Sequence, residues 1–326
     1  MTVTRSALSV ACRGHPLELP VHRFTDGVAT ETPRIMIVAG IHGREHTGIR
    51  TAYALMERLA GVSDLHGAID VLPVANPEGF AAETRENPAD GRNLGECFSA
   101  FGADHGECKR EGQTEAIAVS ILDRLEGCSH LLDLHSAGEA RYLPHVLFFR
   151  EEDLGSAAAA GVHFVLLRRR SREGATSGML CLAALQRGMP ALALELGGGI
   201  TTWAEDVDTG IRAILSLLAH WRYISPEYAS GPTPRERLFP RDCRLFMRAG
   251  EEGAFYPSGE LGRELAKGER IGTWVSLATL EAVPVLVQET GTLIYLRSRC
   301  RTHRGETLAM LLPEVSAEEE EQEEGQ

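Results

Sequence analysis

Two imidazoles and a carboxylate stand at the ends of apolar runs in this chain: His42 and Glu45 in GIHGREHTG, and His135 in DLHS. An imidazole and a carboxylate brought together by a tight glycine turn can both bind one zinc ion, and a His, Glu, His set with an open fourth position is catalytic rather than structural in type. Zinc is inferred from the ligand types, and manganese or cobalt suits the same donors. The His-x-x-Glu spacing is weak on its own, because His15–Glu18 and His303–Glu306 repeat it without a comparable buried strand before them. The competing reading is that His42 and His135 are polar strand ends facing solvent. Asp133 alternates with His135 on the same run and can orient it as an outer partner.

A hydrolase built on such a centre also needs a proton carrier and a positive group for the developing oxyanion. Glu195, in PALALELGGG, is a carboxylate near the carboxyl end of an apolar run, where desolvation would raise its pKa toward neutrality. The competing reading is a Glu satisfied by a neighbouring Arg at the sheet edge. Arg85, in ETRENPADGRNL, can supply a guanidinium, and Arg92 is its rival in the same loop. A solvated loop side chain is the commoner fate for either.

The elements that must position these groups read as an α/β domain with a mostly parallel sheet flanked by helices. RIMIVAG predicts a strand over 34–40, followed by a helix from Glu45 to Leu59 and a strand near 69–74. GQTEAIAVSILDRLEG carries the apolar stripe of a helix, and HLLDLH follows as a buried strand. HVLFFR, HFVLLRR and PALALELGGG read as further strands, with helices near 154–161, in SGMLCLAALQRG and over 204–223. Four prolines between Ser225 and Pro240 suggest a linker, and the short glycine-punctuated runs of 242–313 a small all-β module. The expected division is therefore a catalytic domain over 1–230, a β-rich module over 231–313 and a disordered acidic tail over 314–326.

That tail holds seven glutamates and no basic residue, which is more than half of the formal net charge of -13. The body is only mildly acidic, and its one basic cluster, Arg168–Arg170 with Arg172, reads as a solvated strand end. A nucleic-acid partner is not expected. No apolar run reaches the roughly 20 residues that span a bilayer, so no membrane role is expected either. The N-terminus shows no secretion signal, and seven scattered cysteines suit a reducing compartment. The expected location is the cytoplasm. Oligomeric state stays open, a homo-oligomer included.

Taken in order, GIHGREHTG, VANPEGF, TRENPADGRNL, DLHS and LELGGG resemble the succinylglutamate desuccinylase and aspartoacylase family of the zinc carboxypeptidase-like superfamily, over about Pro33 to Pro313. The resemblance implies one zinc ion on His42, Glu45 and His135, Glu195 as general base, and Arg85 at the carbonyl. It implies removal of an acyl group from a small N-acylated amino acid or amine. The runners-up are a carboxypeptidase-like metallopeptidase and a catalytically inactive small-molecule-binding relative. GAFYPSGELGRELAKGERIG and TGTLIYLRSRCRTHRGETLA resemble the halves of a biotinyl or lipoyl barrel, without a carrier lysine in a Met-Lys-like hairpin. The chain departs from the family where N-L-N-R is usual: it reads Asn93-Leu94-Gly95-Glu96. The Asn-Arg pair grips a substrate carboxylate, so either the substrate brings an amine or neutral group to Glu96, or Arg92 or Arg141 reads its carboxylate.

Overall fold

Strands buried on both faces read as near-continuous apolar runs, and RIMIVAG, HLLDLH and PALALELGGG follow this except at the polar groups they carry toward their ends. The computed structural model describes residues 2–11, 16–26, 33–98, 112–162, 164–167, 179–229, 237–239 and 243–313. His15, the cluster Arg168–Arg170 with Arg172, the glutamate-rich tail and half of the proline-rich stretch lie outside the described residues.

In chain order the first elements are β1 (Thr2–Val10), β2 (Leu17–Thr25), β3 (Arg34–Ala39), α1 (His46–Leu59), β4 (Ala68–Leu72), α2 (Pro77–Ala82), α3 (Gln113–Arg124) and β5 (His130–His135). There follow β6 (Ala140–Tyr142), β7 (His145–Phe148), α4 (Leu154–Ala159), β8 (Phe164–Leu167), α5 (Leu180–Gln186), β9 (Ala191–Glu195), α6 (Ala204–His220) and β10 (Arg237–Phe239). Two compact units result. The first comprises Met1–Gly138 and Pro144–Asp242, the second Glu139–Leu143 and Cys243–Gln326.

The first unit is built on a nine-stranded sheet of order β1-β2-β4-β3-β5-β9-β7-β8-β10. Its centre, β4-β3-β5-β9, is parallel, whereas β2 meets β4, and β7 meets β9, antiparallel. Ile35, Ile37, Ala39, Leu132, Leu134, Leu192 and Leu194 share one core with α1, α4 and α6. Met36, Val38, Leu131, Ala191 and Ala193 alternate with them and are buried on the opposite face. Asp133, His135 and Glu195 belong to that second set by the same alternation. From β3 the chain crosses through α1 to β4 on one side, then returns to β5 on the other. The carboxyl ends of β3, β5 and β9 consequently lie side by side at a switch point, where open α/β sheets bind ligands.

The hairpin β1-β2 extends the sheet beyond β4 and was not expected from sequence. Its anchor is Asp70 of β4, fully buried, which accepts from Arg23 Nε at 2.6 Å and Nη2 at 2.8 Å and from Arg124 Nη2 at 3.0 Å. Strand β10, inside the proline-rich stretch, pairs parallel to β8.

The second unit holds β11 (Leu245–Arg248), β12 (Gly253–Pro257), β13 (Glu264–Leu265), β14 (Arg270–Ser276), β15 (Ala282–Leu286), β16 (Gly291–Arg297), β17 (Arg301–Thr302) and β18 (Thr307–Pro313). They form a sheet of order β11-β18-β16-β13, on which β6 pairs with β16, and a second of order β15-β14-β12-β17. The all-β texture is as expected, but the barrel is not: among the described residues neither sheet closes on itself. Met247, Leu265, Ile271, Val287, Leu293, Ala309 and Leu311 fill the core. The strand β6 is fixed by pairing Tyr142 with Tyr295 and Ala140 with Arg297. Beside it, Arg297 Nη2 meets Glu139 Oε2 at 2.5 Å and Glu306 Oε2 at 2.9 Å.

Candidate metal centre

After β3 the chain makes its turn through Gly40 to Gly43 and enters α1 at His46. Gly43 admits no side chain, because a Cβ there would lie 1.8 Å from the Gly79 carbonyl carbon in α2. This close approach brings the His42 turn against α2, whose N-cap Asn76 accepts from Gly79 N at 3.0 Å. Glu45 is the N-cap residue of α1, where the helix dipole favours a negative charge.

His42, Glu45 and His135 meet, each offering a ligand atom within 4.8 Å of the others. His42 Nδ1 lies 2.7 Å from Glu45 Oε1, and His135 Nδ1 2.9 Å from Glu45 Oε2. The backbone N–H of Ser136 donates to the same Oε2 at 3.2 Å. All three residues are less than a tenth exposed. The far nitrogens are held as well: His42 Nε2 is 3.1 Å from Asn93 Oδ1, and His135 Nε2 is 3.0 Å from Asp133 Oδ2. An outer carboxylate or amide on each imidazole is what fixes the ring and tautomer of a metal-ligating histidine.

The electrostatics suit a cation. Burial opposes the charge of Glu45, but the fields of His42 and His135 outweigh it and hold the carboxyl well below its usual range. Burial also opposes a charge on His135, yet Asp133 and Glu45 raise its pKa well above that of a free imidazole. At His42 burial wins and lowers the pKa, with Glu45 only partly offsetting it. The buried Glu45 carboxylate thus lies between two Nδ1 atoms, with Asp133 behind His135 at Nε2. A proton on His135 or a divalent ion on the Nδ1, carboxylate, Nδ1 set balances the carboxylate's charge, so the donors fit a metal.

Arg85 Nη1 is 3.3 Å from His42 Nδ1 and 3.5 Å from Glu45 Oε1, with its side chain 40% exposed. Its loop is tied by Asn87, whose N–H donates to Arg92 O at 2.8 Å, and by Asp90, whose Oδ1 accepts from Thr114 Oγ1 at 2.6 Å at the start of α3. The rival Arg92 is ion-paired with Glu115 of α3. Asn93, expected at the substrate, uses Oδ1 on His42 and donates Nδ2 to Glu96 Oε1 at 2.9 Å. Arg141 lies on β6, in the second unit.

Glu195 ends β9 in direct register with His135 of β5, half-buried. On its other side it is opposite His145 of β7, which is 1% exposed. Directly opposed strand residues share a face with Cβ atoms roughly 5 Å apart, so His135, Glu195 and His145 form a row across three strands. Sequence reasoning passed over His145; the signal was an imidazole opening the otherwise apolar run HVLF.

The family model described as succinylglutamate desuccinylase/aspartoacylase catalytic domain matches residues 31–221. The chain is 26% identical over 298 residues to the N-alpha-acetyl-L-2,4-diaminobutyric acid deacetylase of Halomonas elongata, covering 88% of this chain and 84% of that protein. Its fold is similar to that of a succinylglutamate desuccinylase/aspartoacylase from Rhodobacter sphaeroides, with TM-score 0.77, 21% identity and 96% of each chain covered. It is likewise similar to the product-bound ectoine utilization protein EutE (DoeB) from Ruegeria pomeroyi, with TM-score 0.76, 21% identity and coverage of 96% and 95%.

Proposed function

Because the chain belongs to the succinylglutamate desuccinylase/aspartoacylase family, we propose that it is a zinc-dependent amidohydrolase that removes the acyl group from a small N-acylated amino acid or amine. The observation that carries this is the convergence of His42, Glu45 and His135 with both imidazoles oriented from behind. The name of the Halomonas relative, a deacetylase of an N-acetyl amino acid, supports the substrate class.

One zinc ion held by His42, Glu45 and His135 supplies Lewis acidity for the amide carbonyl and for water. Glu195, beside His135 in register, takes the proton of the attacking water and passes it to the departing nitrogen. Arg85, aimed at the same cluster and open to solvent, steadies the negative oxygen of the tetrahedral species. Asp133 and Asn93 keep the imidazoles in place. Every group named here belongs to the first unit. A cytoplasmic location accords with five free cysteines among the described residues, and no helix among those residues is long and apolar enough to cross a membrane.

The test is metal analysis of the purified chain together with hydrolysis of N-acetyl, N-succinyl and N-formyl amino acids, with and without chelator. Near-stoichiometric zinc, hydrolysis of at least one N-acyl amino acid, and its loss on chelation are expected. Zinc binding without any such hydrolysis would overturn the enzymatic reading.

A further inference from the structure

Beside the metal cluster runs a short 3-10 turn, Leu94–Glu96, capped by Asn93, whose Oδ1 accepts from Gly95 N at 2.9 Å. Leu94, Cys97 and Phe98 are buried and hold the turn down. The turn is pressed onto the ligand ring: a Cβ on Gly95 would lie 2.9 Å from His42 Nε2. The next residue, Glu96, is exposed, and its Oε1 accepts from Asn93 Nδ2 at 2.9 Å. A carboxylate is thereby positioned one amide group away from a metal-ligand candidate, with its second oxygen facing no cation among the described residues. The cations of this region are engaged elsewhere, Arg92 with Glu115 and Arg85 with Glu45.

We propose that Glu96 is the specificity-determining residue of this site and selects N-acyl substrates that carry a second, free ammonium group. The inference rests on the deacylase reading given above. An ammonium reaching Glu96 gains a charge-assisted hydrogen bond, while a substrate carboxylate at the same corner meets a like charge, which discriminates as strongly as attraction does. Arg85 remains for the oxyanion, so the two solvent-reaching charges at the cluster have opposite tasks.

The test uses the full chain loaded with zinc and Nα-acetyl derivatives of 2,4-diaminobutyrate and ornithine, of the isosteric norvaline and norleucine, and of aspartate and glutamate. The wild-type kcat/KM favours the ammonium side chains over their isosteres by at least about tenfold, the scale of one hydrogen bond to a charged group. In Glu96→Gln, which keeps the acceptor for Asn93 Nδ2, that ratio collapses toward one. In Glu96→Arg the carboxylate substrates become the better ones. Calorimetry with the free amino acids gives an independent reading: 2,4-diaminobutyrate or ornithine binds more tightly than its isostere, and Glu96→Gln removes the difference. A wild type without the preference, or a Glu96→Gln that retains it, overturns the proposal. If nothing in the panel is hydrolysed, the deacylase reading falls, and the calorimetric difference alone decides for or against Glu96.

Discussion

Each candidate ligand imidazole is gripped at both ring nitrogens, His42 between Glu45 and Asn93, His135 between Glu45 and Asp133. Loosening the outer grip should therefore cost metal affinity while the ligands themselves stay in place. Asp133→Asn and Asn93→Ala are expected to weaken zinc binding by about 10- to 100-fold, read by competition with a chelating dye; wild-type affinity in both would remove the outer-partner role. Glu195→Gln separates chemistry from binding. It should retain zinc and lower kcat by about 10²- to 10⁴-fold, and turnover near the wild-type rate would exclude Glu195 as the proton carrier. The meeting of His42, Glu45 and His135 was legible in sequence because His42 and Glu45 follow one apolar strand and His135 closes another of the same sheet. The partners of Asn93 and Arg92 were not: Arg92 finds Glu115 across a loop, and Asn93 turns its oxygen back to His42. Neither pairing leaves a local pattern to read.

At the level of elements, the parallel centre of the sheet was legible for a physical reason. Strands covered on both faces, such as β3, β5 and β9, are near-continuous apolar runs broken only by groups such as Asp133, and the helices between them carry a stripe with helical period. The β1-β2 hairpin lacked any such mark. Strand β1 is exposed over most of its length and β2 contains Pro20, so their conformation comes from pairing of β1 with β2 and of β2 with β4, where Asp70 is remote in sequence. How the strands of the second unit group was not legible either, because strand character is local whereas their division into two sheets is set by long-range pairing. Leu134, wholly buried between the outer partner Asp133 and the candidate ligand His135 and packed in the core with α1 and α6, couples stability to the site. Leu134→Ala should cost about 2–5 kcal/mol, measured by urea unfolding; a loss below 1 kcal/mol would show that the core closes around the gap.

For the molecule as a whole, acid stability has an identifiable contributor at the opposite end of β5. His130 stacks on Trp221 at 4.6 Å and meets the Tyr223 hydroxyl at 3.0 Å. Burial lowers its pKa from 6.5 to about 4, with Asp153 opposing the shift. The unfolded chain takes up this proton near pH 6.5 and the folded chain only near pH 4, so His130 contributes its stability above 6.5 and loses it progressively as the pH falls toward 4. The urea midpoint of His130→Phe should accordingly fall less steeply than wild type across that window, and parallel curves would acquit His130.

The five residues of Glu139–Leu143 leave the first unit immediately after β5 and come back for β7, having served as a strand of the second. During synthesis Tyr142 emerges long before Tyr295, its partner, exists. The sheet that holds β16 must wait for the carboxyl-terminal part of the chain, and β6 stays without its partner strand until then. Neither body is one continuous cassette, since a stop codon placed ahead of Cys243 would leave β6 without the strand it pairs with.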